Sequence, residues 1–135
     1  MKKKLKKNLA KNIKKRLHKK AWALMSEYKR RLEKGQCFTC GKKLTKSTSN
    51  AGHYIHKNCL DYNFMNIHCQ CVACNKWKHG NLGVYAEKMI FRYGQEAVEG
   101  LRRKAEVIKK FTIGELECII IDLQKKLEAL NGNSN

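Results

Sequence analysis

Between Cys37 and His79 the chain concentrates the side chains that bind metals and move protons: six of its seven cysteines and four of its five histidines. Two short pairs, Cys37-Phe-Thr-Cys40 and Cys71-Val-Ala-Cys74, each bring two thiols within reach of one ion, and Gly41 tolerates the tight turn of such a knuckle. Together they supply the four thiolates of a closed tetrahedral zinc site, the kind that holds a small fold together outright. Redox dithiols and unliganded core cysteines are the competing readings. Cys69 is close enough to Cys71 to be a rival ligand, whereas Cys59 and Cys118 are spare. His53, His56, His68 and His79 fall within 27 positions. A lone histidine in a strand is usually a hydrogen-bonded core residue, but this density beside thiolates points to chemistry.

The elements that must position these groups follow from spacing. Residues 42–50 form a polar loop, and the alternation in Ala51-Gly-His-Tyr-Ile-His56 suits a strand with His53 and Ile55 on one face. A second short strand or loop carries Asn63, Asn66 and Ile67-His68, and Cys74 to Lys78 opens a short helix. Upstream, Leu5, Leu9, Ile13, Leu17, Ala21, Leu24, Tyr28 and Leu32 recur at steps of three and four, one apolar stripe on a helix that Gly35 ends. Downstream, Leu82 to Tyr93 and Gln95 to Lys110 read as helices, the first stopping at Gly94. Thr112-Ile-Gly-Glu115 is a capping box opening a last helix. Its Ile113, Leu116, Ile120, Leu123, Leu127 and Leu130 make a short coiled-coil seam, suited either to a homodimer or to packing on the N-terminal helix.

Charge narrows the partner. Thirty Lys and Arg against 11 acids give a net charge of +19, and residues 1–34 hold 15 of those bases with only Glu27 and Glu33 opposing them. A polyanion is the expected partner. If helical throughout, that segment extends roughly 50 Å, enough to track a DNA backbone, with Lys14, Lys15, Arg16, Lys19, Lys20, Arg30 and Arg31 as candidate phosphate contacts. A basic membrane-surface protein and an RNA binder compete with DNA. No spanning run and no export signal is evident, which predicts a cytoplasmic protein without membrane partners, and in that reducing setting cysteine pairs favour metal over disulfides.

The order Cys-x-x-Cys, then Gly52-His53-Tyr54, then Asn66 five residues before Cys71-x-x-Cys74-Asn75, then Lys78, resembles an HNH endonuclease with its ββα metal finger. More narrowly, Cys37-Phe-Thr-Cys-Gly41, Ala51-Gly-His-Tyr54, Asn66-Ile-His-x-Gln-Cys71, Cys74-Asn75, Gly80-Asn81 and Tyr93-Gly-Gln-Glu-Ala-Val98 resemble the phage NinG (Rap) family of recombination nucleases. The resemblance covers roughly Trp22 to Leu101. It implies that His53 is the general base, that Asn66 holds the loop and the histidine in orientation, and that Asn75 binds a catalytic divalent ion. An amide oxygen is a hard donor suited to Mg²⁺ or Mn²⁺. Lys76 or Lys78 would hold the scissile phosphate. Many HNH enzymes carry an acid or a histidine as a metal ligand just before the base. Here that position is Gly52, and the resemblance makes His68 the replacement, ahead of His56 or Asp61.

The expected architecture is α+β and predominantly helical: a basic helix (1–34), a zinc-stabilised HNH-like ββα core (35–93), C-terminal helices that suit dimerisation (94–130) and a disordered tail (131–135). The expected activity is metal-dependent cleavage of DNA, with the preference for Holliday junctions or D-loops implied by the resemblance alone. A non-catalytic zinc-containing DNA-binding or recombination accessory protein is the alternative.

Overall fold

A computed structural model describes residues 1–133 as a mixed α and β chain that is mostly helical. α1 spans Lys2–Leu32, β1 Ser49–His53, β2 Ile67–Cys71, α2 Leu82–Tyr93, α3 Gln95–Lys104 and α4 Ile113–Gly132. By contact the chain divides into two units, Met1–Met25 with Phe111 onward, and Ser26–Lys110. The division thus falls at Met25 and Lys110 rather than at Lys34 and Tyr93, and the last turns of α1 belong with the cysteine-rich unit. Side chains explain this. Lys29 Nζ donates to the Phe64 carbonyl at 3.0 Å, Arg30 reaches the Lys46 carbonyl at 3.3 Å, and the rings of Tyr28 and Phe64 meet edge to face.

In the first unit, α4 opens with the expected capping box, in which Thr112 accepts from the Glu115 N–H and the Glu115 carboxylate accepts from the Thr112 N–H. Leu116, Ile120, Leu123 and Leu127 are buried within the single chain, so their seam does not by itself call for a second copy. α4 runs through Gly132, where a disordered tail was expected from Asn131, because nothing in Asn131-Gly132 interrupts the backbone ladder. Ser134 and Asn135 of that expected tail lie outside the described residues. No described helix is long and apolar enough to cross a membrane.

In the second unit, β1 and β2 pair antiparallel, with Gly52 opposite His68 and Asn50 opposite Gln70. Its apolar core joins Phe38, Tyr54 and Leu60 to Tyr85 and Met89 of α2 and to Val98 and Leu101 of α3. Two boundaries differ from expectation. The strand ends at His53 instead of continuing to His56, because the Asn66 side chain takes both backbone groups of Ile55: the Ile55 N–H donates to Asn66 Oδ1 and Asn66 Nδ2 donates to the Ile55 carbonyl, each at 2.9 Å. α3 stops at Lys104 rather than Lys110, since Val107 and Ile108 find no apolar surface and stay exposed.

Candidate metal centre and flanking polar site

The cysteine cluster is built from two loops. Gly41 adopts φ +77°, a left-handed conformation that a side chain disfavours, and closes the first knuckle with its N–H on the Cys37 carbonyl at 2.9 Å. Cys71 ends β2, and a wide turn over Ala73–Trp77 follows, in which Cys74 N–H donates to Cys71 Sγ at 3.4 Å. The ligand atoms of Cys37, Cys40, Cys71 and Cys74 all lie within 4.8 Å of one another. Four zinc–sulfur bonds of about 2.3 Å at tetrahedral angles space the sulfurs about 3.8 Å apart. Cys40 Sγ and Cys71 Sγ are 3.8 Å apart, so the group fits zinc. Cys69 stands outside it, and burial pushes its thiol up to about 11.

Electrostatics in the cluster favour a dication. Burial pushes the Cys37 thiol up, but hydrogen bonds from the Cys40 N–H, the Thr39 hydroxyl and the Cys71 and Thr39 N–H groups outweigh it and bring it down to about 6. The Lys42 N–H pulls the Cys40 thiol down, yet burial and hydrogen bonds with the other three thiols push it up to about 12. One thiolate forms readily, and Cys40 and Cys71 resist. A cation shared among the four relieves that resistance.

His53 ends β1 with its ring half-buried, Nε2 lying 3.3 Å from Asp61 Oδ1 without the alignment of a hydrogen bond. The His56 ring is 5.2 Å away, centroid to centroid. Asn66 is fully buried and clamps the turn after His53 through Ile55, while its own carbonyl accepts from the Tyr54 N–H at 2.8 Å. Asn75 sits in the turn after Cys74, and its Oδ1 lies 3.1 Å from where a Cβ on Gly52 would stand. Gln70 occupies that space: its Oε1 is 1.9 Å from the same point. The Gly52 carbonyl is held from below by the Tyr85 hydroxyl at 2.8 Å. The structure thus brings Asn75 to Gly52, the residue before His53, and sets Asp61 beside the imidazole.

His68 stands opposite Gly52 in the sheet and is engaged with other partners. It is completely buried, stacked on Phe38 with centroids 3.9 Å apart, and both ring nitrogens are engaged: Nδ1 with Glu33, and Nε2 with the Met65 carbonyl at 3.1 Å and the Tyr93 hydroxyl at 3.2 Å. Both ring nitrogens thus have protein partners here, at the residue that the resemblance makes the replacement for the ligand missing at Gly52. Glu33 is the hub that holds it, also accepting from the Cys69 N–H at 2.8 Å and from Arg92 at 3.2 Å, with buried Lys29 at 3.8 Å. Burial pushes the Glu33 carboxyl up, but His68, Lys29 and the Cys69 N–H together hold it below its usual value. Burial lowers the His68 imidazole against the pull of Glu33. Sequence reasoning missed Glu33 and Lys29. The one signal was that Glu33 is one of only two carboxylates in the basic N-terminal segment.

Of the candidate phosphate contacts, Lys15, Arg16, Lys19 and Lys20 are exposed and Lys14 is half-buried in the first unit. Arg30 is committed to the Ser26 and Lys46 carbonyls, and Arg31 pairs with Glu27 at 3.6 Å. Lys76 and Lys78 are exposed in the turn that carries Asn75, flanking Trp77, which is 79% exposed.

The chain matches the family profile described as "Bacteriophage Lambda NinG protein" over residues 1–133. Among curated proteins it is 39% identical over 100 residues to "Protein ninG" of Escherichia phage lambda, covering 72% of this chain and 48% of that one. It is 37% identical over 100 residues to the protein of that name in Escherichia phage 933W, with 72% and 49% covered. The identity is 36% over 97 residues to that of Salmonella phage P22, with 70% and 47% covered. The chain spans about half the length of these relatives. No solved structure matches.

Proposed function

Because the chain belongs to the family of the bacteriophage lambda NinG protein, we propose that it is an HNH-type, metal-dependent DNA endonuclease acting on branched recombination intermediates such as Holliday junctions or D-loops. The observation that supports the reading is Asn75 Oδ1 beside Gly52, the residue before His53, on a hairpin and turn flanked by the four clustered cysteines. His53 takes the proton of the attacking water, and Asp61, 3.3 Å from Nε2, steadies the ring and the charge it gains. Asn66 fixes the turn that aims the ring. The amide oxygen of Asn75 is a hard donor suited to Mg²⁺ or Mn²⁺, and such an ion, when bound, supplies stabilisation of the charge developing on phosphorus. Exposed Lys76 and Lys78 take the phosphate backbone beside the site, and the exposed bases of α1 add binding that is salt-sensitive and blind to sequence.

The test is cleavage of a labelled four-way junction and of linear duplex by zinc-loaded protein with Mg²⁺ or Mn²⁺, comparing wild type with His53→Ala. The expected result is junction cutting by wild type, and retained junction binding without cutting by His53→Ala. Binding without cutting by both proteins would instead establish a non-catalytic accessory role.

A further inference from the structure

The metal ligand missing at position 52 has a replacement across the sheet. We infer that the side-chain oxygen of Gln70 serves with Asn75 Oδ1 as a ligand for the catalytic divalent ion, taking the place that an acid or histidine at position 52 would fill. The inference rests on the metal-dependent reading above.

Gln70 is completely buried on β2, and its amide orientation is fixed. Nε2 donates to the Gly80 carbonyl at 2.8 Å and to Thr39 Oγ1 at 3.2 Å. A carbonyl only accepts, so the amide nitrogen must face Gly80 and the oxygen must face the other way. Oε1 has no hydrogen-bond partner. A buried acceptor left bare costs on the order of 1–3 kcal/mol, so a polar environment built elsewhere with this care calls for a ligand at that atom. Asn50 stands opposite on β1 and its Nδ2 is also bare, yet the two amides do not pair.

The direction of that oxygen is specific. A Cβ on Gly52 would stand 1.9 Å from Gln70 Oε1, 2.8 Å from its Cδ and 3.1 Å from Asn75 Oδ1. The two amide oxygens therefore lie near a single point at the strand position next to His53, at most about 5 Å apart, a bound that includes the roughly 3.0–4.2 Å between two ligands on one octahedral ion with bonds of about 2.1 Å. A side chain at position 52 would meet Gln70 where Gly80 and Thr39 now hold its amide. Glycine at 52 and glutamine at 70 are thus one arrangement, in which a ligand has moved from one strand to its neighbour.

The experiment measures Mn²⁺ binding to zinc-loaded protein by loss of the free-ion electron paramagnetic resonance signal, independently of cleavage. Wild type binds, and Asn75→Ala and Gln70→Ala each weaken binding about tenfold or more while keeping one zinc per chain. Gln70→Glu tightens it by adding a charge, and Gly52→Asp combined with Gln70→Ala recovers binding by returning the ligand to β1. If Gln70→Ala fails to fold, Gln70→Glu decides, and an unchanged affinity there overturns the inference. Binding lost in Asn75→Ala but unaltered in Gln70→Ala would overturn the role of Gln70 and leave the proposed function standing. No Mn²⁺ binding by wild type would overturn both.

Discussion

Replacing Glu33 by alanine strips four groups of their partner at once. His68 Nδ1, the Cys69 N–H and Arg92 lose an acceptor, and Lys29, only 4% exposed, keeps the Phe64 carbonyl but no counter-charge. Arg92 is half-exposed and returns to water at little cost. The buried groups decide the outcome: removing one member of a buried, hydrogen-bonded charge cluster costs about 3–5 kcal/mol. With an unfolding entropy of about 2.1 cal/mol/K per residue over 135 residues, that loss lowers the melting temperature by roughly 10–18 °C. Circular dichroism melts at saturating zinc measure it, with Glu33→Gln, which keeps an acceptor but no charge, falling between. A drop of less than about 3 °C, near 1 kcal/mol, would refute the claim that Glu33 ties the end of α1 to β2.

Cys37→Ser should lose zinc and unfold the second unit, whereas Cys69→Ala keeps one zinc per chain. Zinc content by mass spectrometry under native conditions separates them. Asn66→Ala should cost about 2–3 kcal/mol by baring both backbone groups of Ile55, and should abolish cutting even where the protein remains folded and zinc-loaded. Acid should weaken the fold in two stages. Burial holds the folded His68 below its unfolded value near 6.5, so its contribution is complete above that pH and fades as pH falls below it. Glu33 is also held low in the fold, and its contribution fades further down, below about 4.5. Melts from pH 7.5 to 5, with zinc retention checked in parallel, should show the first stage, and His68→Gln should flatten it.

The features legible in the sequence are those decided by local chemistry. The capping box of Thr112 and Glu115, the stop of α2 at Gly94 and the paired cysteines each declare themselves within a few residues. What was not legible depends on partners distant in sequence. Whether β1 continues past His53 is settled by an asparagine 11 residues from Ile55, and the fate of His68 by a carboxylate 35 residues away. The absent ligand at Gly52 was visible as a gap. Its occupant was not, because only the strand register and the turn after Cys74 bring Gln70 and Asn75 to that point.

The central claim is that two metals have separate tasks, zinc in the four cysteines holding the fold and a hard divalent ion among oxygen donors supporting the reaction. Its most direct test is junction cleavage by protein carrying one zinc per chain, titrated with Mn²⁺ or Mg²⁺ and then treated briefly with EDTA while zinc content and circular dichroism are followed. Cutting should rise with the added ion and vanish on chelation, with the zinc and the fold retained. No cutting under any divalent ion, or undiminished cutting after the second metal is removed, would contradict the account.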